Sequence, residues 1–311
     1  MRVTARPIQT GISSPITGVG QPQEVQVPSE KVPAGQSAPI PSASDFARKG
    51  MPSAHGSRAF DLRMQALKDP TAPVASPADG IAFCHAALKD IRERTARGEK
   101  VRVVFDLDNT LFDTRVRTVA VAHAYDKARG TSHFANLRVE DVGRDGKHTA
   151  ERMGLPANVV EDFRAFWDKG FWDGANMVHD TPMPHMAALA HAAKSAGAEI
   201  VYLTGRVTAL HEASLAQLVR AGLPDGDADN LYCKPGLGMR TAPFKEQMME
   251  AWQQQGIHIA FFVTEGRRDI AHLQKEAPTV PCVLLDDPLE RGGTELHADT
   301  PVLPHASPVV R

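Results

Sequence analysis

Asp106 and Asp108 close an apolar run, Val103-Val104-Phe105, and are followed at once by Asn109, Thr110 and Leu111. The β-branched and aromatic run has no polar break, so it reads as a strand buried on both faces. In an open parallel α/β sheet, ligands bind outside the carboxyl ends of the strands. Two carboxylates at such an edge repel each other and are poorly solvated unless a cation or a proton sits with them. One carboxylate beside a metal, with a second two residues on, is a nucleophile next to an acid/base. A Ca²⁺ loop of EF-hand type would need Gly at its sixth position and Glu at its twelfth, where Leu111 and Arg117 stand.

Further strand ends carry chemistry in the same way. Glu199-Ile200-Val201-Tyr202-Leu203 is a second buried run that ends in Thr204-Gly205-Arg206. A hydroxyl followed by glycine offers an oxygen-binding group with close backbone approach. Leu231-Tyr232-Cys233 is a short third strand, and His258 to Thr264 a fourth, running into Glu265-Gly266-Arg267-Arg268-Asp269. Glu265 and Asp269 are hard oxygen donors suited to Mg²⁺, which takes one or two carboxylates and keeps several waters. Pro281 to Leu285 is the fifth strand and ends in Asp286 and Asp287. Five strands alternating with helical patterns predict an α/β parallel sheet with crossover helices on both faces.

The order of these motifs resembles the haloacid dehalogenase (HAD) superfamily, in its phosphatase branch. Asp106, Asp108 and Thr110 match the family's Asp-x-Asp-x-Thr first motif, and Thr204 matches the Thr or Ser of the second. The resemblance implies that Asp106 attacks phosphorus and that Asp108 protonates the leaving oxygen and then activates water. Thr204 would hold a phosphoryl oxygen, with Asn109, Thr110, Gly205 and Arg206 lining the substrate. The third-motif lysine is Lys245 by spacing and Phe-Lys context, with Lys234 as the alternative. Mg²⁺ would be held by Asp106, by Asp108 through its carbonyl, and by Glu265 or Asp269. The family's fourth motif commonly reads Gly-Asp-x-x-x-Asp; this chain has Thr264 and Glu265 in the first two places. The implied fold is a HAD-like Rossmannoid sheet of order 5-4-1-2-3 with an inserted, mainly helical C1-type cap.

Roughly eighty residues separate the first two motifs, far more than a crossover needs. Helical patterns at Val116–Arg129 and about Ala157–Trp167, with Phe163, Phe166, Trp167, Phe171 and Trp172, read as the cap. The aromatics are expected to form a small cap core in preference to a substrate-stacking surface. His179, Asp180 and His185, near the cap's return, read as surface or hinge residues. The division expected is a Pro/Ser-rich disordered tail over 1–57, a core over 58–115 and 196–311, and a cap over 116–195. A short helix over Phe60–Leu67 precedes an amphipathic helix over Gly80–Arg97, capped by Asp79 and ended by Gly98. The last residues, with Gly292, Gly293, Pro301 and Pro304, read as an ordered-to-frayed tail.

The 311 residues, 42% hydrophobic and 23% charged, are ordinary for a soluble globular chain. A formal charge of −2 does not favour general nucleic-acid binding. Cys84, Cys233 and Cys282 have neither disulfide-framework nor zinc spacing. No apolar segment is long enough to span a bilayer and no signal peptide is evident, so a cytoplasmic setting is expected. The expected partner is a small phosphorylated substrate. A phosphotransferase or mutase of the same superfamily, or a weakly catalytic binding protein on its fold, stays open beside hydrolysis.

Overall fold

Strand β1 (Val101–Phe105) sends Val103 and Phe105 to one face of the sheet and Val104 to the other, the two-residue period of a pleated strand. Both faces are apolar because both are covered, as a parallel sheet requires. In the computed structural model, which describes residues 77–287, 289 and 294–305, this strand lies at the centre of a six-stranded parallel sheet. On one side follow β4 (Glu199–Val207) and β5 (Leu231–Lys234); on the other, β6 (His258–Thr264), β7 (Cys282–Asp286) and β8 (Val302–Pro304). The five strands read from the sequence stand in the order implied by the resemblance, and β8 adds a sixth at the edge.

Helix α1 (Pro77–Ala96) puts Cys84, Leu88 and Ile91 against the Val103 face. The helix begins at Pro77, so Asp79 lies in its first turn and is not its cap; proline suits a first helical position because its missing N–H would be unpaired there anyway. The residues expected as a tail instead pair with β7, Leu285 opposite Leu303, and support α1. A Cβ built on Gly80 would lie 2.1 Å from the Val302 carbonyl oxygen. Alanine is normally the better helix former by about 1 kcal/mol. Gly80→Ala is therefore expected to reverse that sign, lowering stability by about 1–3 kcal/mol through overpacking. Thermal unfolding of the two proteins checks it.

Between β1 and β4 the chain leaves the sheet through β2 (Phe112–Asp113) and returns through β3 (Thr181–Pro182), which pair antiparallel. The Met183 amide donates to the Leu111 carbonyl at 2.8 Å and closes the neck. The insertion holds α2 (Arg115–Arg129), α3 (Gly146–Arg152) and α4 (Ala157–Phe171). Val121, Tyr125, Phe134, Phe163, Trp167 and Phe171 form its own buried cluster, with Tyr125 edge-on to Phe163 at 5.3 Å. Trp172 is left 45% exposed. Helix α5 (Pro184–Ser195), which the sequence reading places in the insertion, buries Met186, Leu189, Ala190 and Ala193 with the sheet. Its apolar face matches the sheet and not the aromatic cluster.

Helix α6 (His211–Arg220) adds Leu218 to the α1 face; α7 (Thr241–Gln254) and α8 (Arg267–Glu276) cover the opposite face through Phe244, Met249, Trp252, Ile270 and Leu273. No helix among the described residues is long and apolar enough to cross a membrane. The expected tail over 1–57 and helix over Phe60–Leu67 lie outside the described residues.

Candidate active site

The turn after β1 is tight. The Thr110, Leu111 and Phe112 amides all converge on the Leu107 carbonyl, and Asn109 takes a left-handed φ of 51°. Asparagine tolerates that conformation because its side chain can bond locally; here Asn109 Oδ1 accepts from the Thr114 hydroxyl at 2.7 Å. Just before the turn, the Asp106 amide continues the ladder to the Val263 carbonyl. Asp106 and Asp108 are thus fixed at the carboxyl edge of the central strand.

The Asp106 carboxylate lies in a cluster of acids around one cation. Its Oδ2 accepts from Lys245 Nζ at 2.6 Å and from the Thr264 hydroxyl at 3.0 Å, while Oδ1 accepts from the Leu107 amide. Lys245 also donates to Asp269 Oδ2 at 2.6 Å and is completely buried. Glu265 Oε2 accepts from the Thr110 hydroxyl at 2.7 Å and lies 3.3 Å from the Thr264 hydroxyl oxygen, whose one proton the closer Asp106 takes. Two of these three carboxylates, Asp106 and Asp269, bond the one ammonium. Burial pushes the Asp106 carboxyl up, and the Lys245 charge opposes this without cancelling it. Burial and then the Asp106 charge push Glu265 well above the usual range. Burial works against the Lys245 charge, but Asp106 and Asp269 outweigh it and hold the ammonium above its ordinary value.

This excess of negative charge has a sign in stability. A carboxyl raised on folding contributes stability below its ordinary value, and the contribution is lost as pH rises through the raised one. Metal-free protein is therefore expected to lose thermal stability as pH rises from about 5 to about 8. Glu265→Gln keeps an oxygen for the Thr110 hydroxyl and removes one charge. It is expected to flatten that slope and to unfold at a higher temperature than wild type at the alkaline end; an unchanged slope would refute it.

Asp108 faces a different neighbourhood. Arg206 donates to it twice, Nε to Oδ2 at 3.0 Å and Nη2 to Oδ1 at 2.7 Å. Arg117 Nη2 donates to the same Oδ1 at 3.0 Å. Burial alone would raise the Asp108 carboxyl, but Arg206 and Arg117 outweigh it and hold it well below the usual carboxylate range. Both arginines are fully buried and continue into Asp180, Ser214 and Gln217. Arg117 lies over the Phe171 ring, 4.3 Å from its centroid, and donates to the Phe171 carbonyl.

A cavity of about 200 Å³ opens at Asp108, Asn109 and Glu265 and runs between Thr118, Arg144, Trp167, Phe171 and Trp172. Asp106 does not line it, whereas Asp108, two residues on, does. Thr204 is buried within β4, which runs on for three residues beyond it, and its hydroxyl accepts from the Arg206 amide.

Three expected substrate-binding residues are placed otherwise. The Thr110 hydroxyl is used twice within the protein, donating to Glu265 and accepting from its amide. The close approach at Gly205 is made by Thr241, whose side chain lies 3.0 Å from where a Cβ would be. Arg206 is consumed by Asp108, Ser214 and Gln217, as a buried guanidinium must be when its donors need partners. Lys234 is partly exposed, and only its carbonyl takes part, accepting from the Thr208 hydroxyl. Asp269 is engaged by Lys245 and Glu265 is not, which separates the two acids the sequence left equivalent.

Arg117, Asp180, Gln217 and Thr264 escaped the sequence reading as site residues. Arg117 had a signal: with Thr118, Val121, Ala122 and Tyr125 it falls on the buried stripe of α2, where an unpaired charge could not stay. Thr264 could be read as the replaced motif glycine, but its bond to Asp106 could not. Asp180 and Gln217 had no local signal.

Residues 157–289 match the family model described as HAD superfamily, subfamily IIIB (acid phosphatase). The matched span contains Thr204, Lys245, Glu265 and Asp269 and begins after Asp106 and Asp108. No curated protein matches the chain. Among solved structures, a haloacid dehalogenase-like hydrolase family protein from Streptococcus pneumoniae is 13% identical, over 68% of this chain and 95% of that one, with a TM-score of 0.44. A HAD family hydrolase from Deinococcus radiodurans R1, solved with bound phosphate and sodium, is 19% identical over 66% and 91%, with a TM-score of 0.43. The class C acid phosphatase from Bacillus anthracis is 15% identical over 74% and 85%, with a TM-score of 0.39.

Proposed function

We infer that this chain, of which residues 157–289 match a HAD-superfamily acid phosphatase model, hydrolyses small phosphomonoesters through Asp106, with a divalent cation at the acid cluster. The observation that carries the reading is the Asp106–Lys245 pair at 2.6 Å, at the carboxyl end of the central strand and beside a cavity opening on Asp108, Asn109 and Glu265. A carboxylate held by a buried ammonium is oriented for attack and lies where charge develops as phosphoryl oxygens arrive.

The donor set fits a hard cation. Among the described residues no three His, Cys, Asp or Glu side chains are spaced to hold a metal by themselves. Mg²⁺ asks for less, one or two carboxylates with waters and phosphate oxygens completing the shell. Asp106 and Glu265, both pushed up first by burial, would hold it with the Asp108 carbonyl; Asp269 serves Lys245. Bound there, Mg²⁺ would supply charge neutralisation at the phosphoryl group.

In the reaction, an Asp106 carboxylate oxygen forms a bond to phosphorus as the ester oxygen departs with its electron pair. The aspartyl-phosphate is then cleaved by water, which loses a proton to a base. Asp108, kept ionised by two arginines, is in the state that a base requires. To protonate a leaving oxygen first, it would have to be released by them. Thr204 and Lys245 would face the transferred group's oxygens. The insertion, whose Trp167, Phe171 and Trp172 wall the cavity, would act as the cap that shapes the substrate.

The test is hydrolysis of p-nitrophenyl phosphate by metal-stripped protein before and after Mg²⁺ is restored. Turnover is expected to fall by at least about tenfold on chelation and to return with Mg²⁺. Full activity in the stripped protein would remove the cation from the reading.

A further inference from the structure

We propose that Asp180 is a positioning residue for Asp108, acting through the two arginines that both hold. Arg117 Nη2 is shared between Asp108 Oδ1 and Asp180 Oδ2, and Arg117 Nε donates to Asp180 Oδ1 at 2.7 Å. Arg206 Nη2 is shared in the same way, 2.7 Å from Asp108 Oδ1 and 3.4 Å from Asp180 Oδ2. Gln217 Nε2 donates to Asp180 Oδ2 at 2.6 Å, while its Oε1 accepts from Arg206 Nη1 at 2.7 Å. The Asp180, Arg117 and Arg206 side chains have no exposed surface.

Two guanidiniums converging on one carboxylate oxygen repel each other, and buried like charges are tolerated only when a counter-charge is present. Two arginines and two aspartates balance. With Asp108 alone, one positive charge would be left over and one arginine would have to leave. Asp180 is therefore what lets Asp108 be gripped from both sides. The grip also spans the neck of the insertion. Arg117 is in the first turn of α2, Asp180 directly precedes β3, and Arg206 and Gln217 belong to the sheet side of the fold. Both ends of the insertion are thus tied to one carboxylate of the proposed site, and Asp180, expected from the sequence as a surface or hinge residue, is buried and is the tie.

The kinetic readout rests on the hydrolysis reading; a spectroscopic one does not. Asp180→Asn is expected to lower kcat for p-nitrophenyl phosphate about 10²-fold with KM changed less than about threefold, as a misplaced group does. The discriminating variant is the double one, Asp180→Asn with Arg117→Gln, which restores neutrality with Arg206 alone on Asp108. It is expected to recover about tenfold of kcat over Asp180→Asn, a coupling of opposite sign to accumulated packing damage. A double variant no better than the single one, or Asp180→Asn at wild-type kcat, overturns the proposal.

If Asp180→Asn does not fold, Asp180→Glu decides. It keeps the charge and shifts it by one methylene, so kcat should fall about tenfold at unchanged KM. Wild-type kcat there is equally fatal. Should wild type show no Asp106-dependent turnover, the hydrolysis reading fails on its own. The Arg206 Nε–H resonance then tests the tie: solvent exchange is expected to be slow in wild type and the double variant and fast in Asp180→Asn. Equal exchange in all three overturns it.

Discussion

Asp106→Asn is expected to lose roughly 10⁴-fold or more in kcat, the scale seen when a nucleophile is removed from a site whose other groups remain. It should do so without loss of stability, and that separation makes the experiment informative. Asparagine keeps one oxygen, which can still accept from the Lys245 ammonium, and gives up the one that accepts from the Leu107 amide. It also takes one negative charge out of a cluster of three carboxylates, of which a single ammonium bonds two. Folding disfavours the ionised Asp106, whose carboxyl is pushed up by burial, so the neutral amide should leave the unfolding midpoint equal or higher near neutral pH. Activity assays and thermal unfolding on the same preparation check both halves. Residual turnover within tenfold of wild type would remove Asp106 as the nucleophile. Lost activity together with a lowered midpoint would leave the chemistry undecided, and phosphorylated-protein trapping would then have to carry the assignment.

Strands were legible because each is a short apolar run ending in chemistry, and Val103, Val104 and Phe105 need no tertiary context to be read as buried. Helix periods gave α2 and α4 to within a few residues. The allegiance of α5 was not legible: Met186, Leu189 and Ala193 are equally apolar against a sheet or an aromatic cluster, and only packing decides. β8 was missed because three residues, Val302 to Pro304, carry too little pattern to stand out from a Pro-containing tail. At the site, residue types at strand ends announced Asp106, Asp108, Thr204 and Glu265. What they touch was not announced. Arg206 was placed at the substrate only by the resemblance; its engagement inside the protein depends on Ser214 and Gln217, which arrive from another element. The two-sided grip on Asp108 joins residues at 108, 117, 180 and 206, a set with no sequence period.

Lys245→Met is expected to have the largest effect on stability, and its dependence on conditions carries the argument. The ammonium is the only cation within bonding distance of Asp106 and Asp269 among the described residues, at 2.6 Å from each, and it lies 5.1 Å from the centroid of the Phe262 ring. Methionine fills similar volume but leaves buried carboxylates without a counter-charge, a loss of about 3–5 kcal/mol. For a domain of this size that lowers the unfolding midpoint by roughly 6–20 °C. A lysine raised on folding contributes its full stability below its ordinary value, so the wild-type contribution is complete across the neutral range and the deficit should be plain there. Protons can replace the lost charge. The deficit in Lys245→Met should therefore shrink as pH falls toward about 5, where the raised carboxyls take up protons. A divalent cation can also replace it, so Mg²⁺ should raise the mutant's midpoint more than the wild type's. Turnover should fall by about 10²–10³-fold, because a preorganised positive charge at the transferred group has been lost, and neither acid nor Mg²⁺ should restore it to wild type. A mutant whose deficit ignores both pH and Mg²⁺ would mean that Lys245 contributes packing, and the acids around it would then need another source of balance.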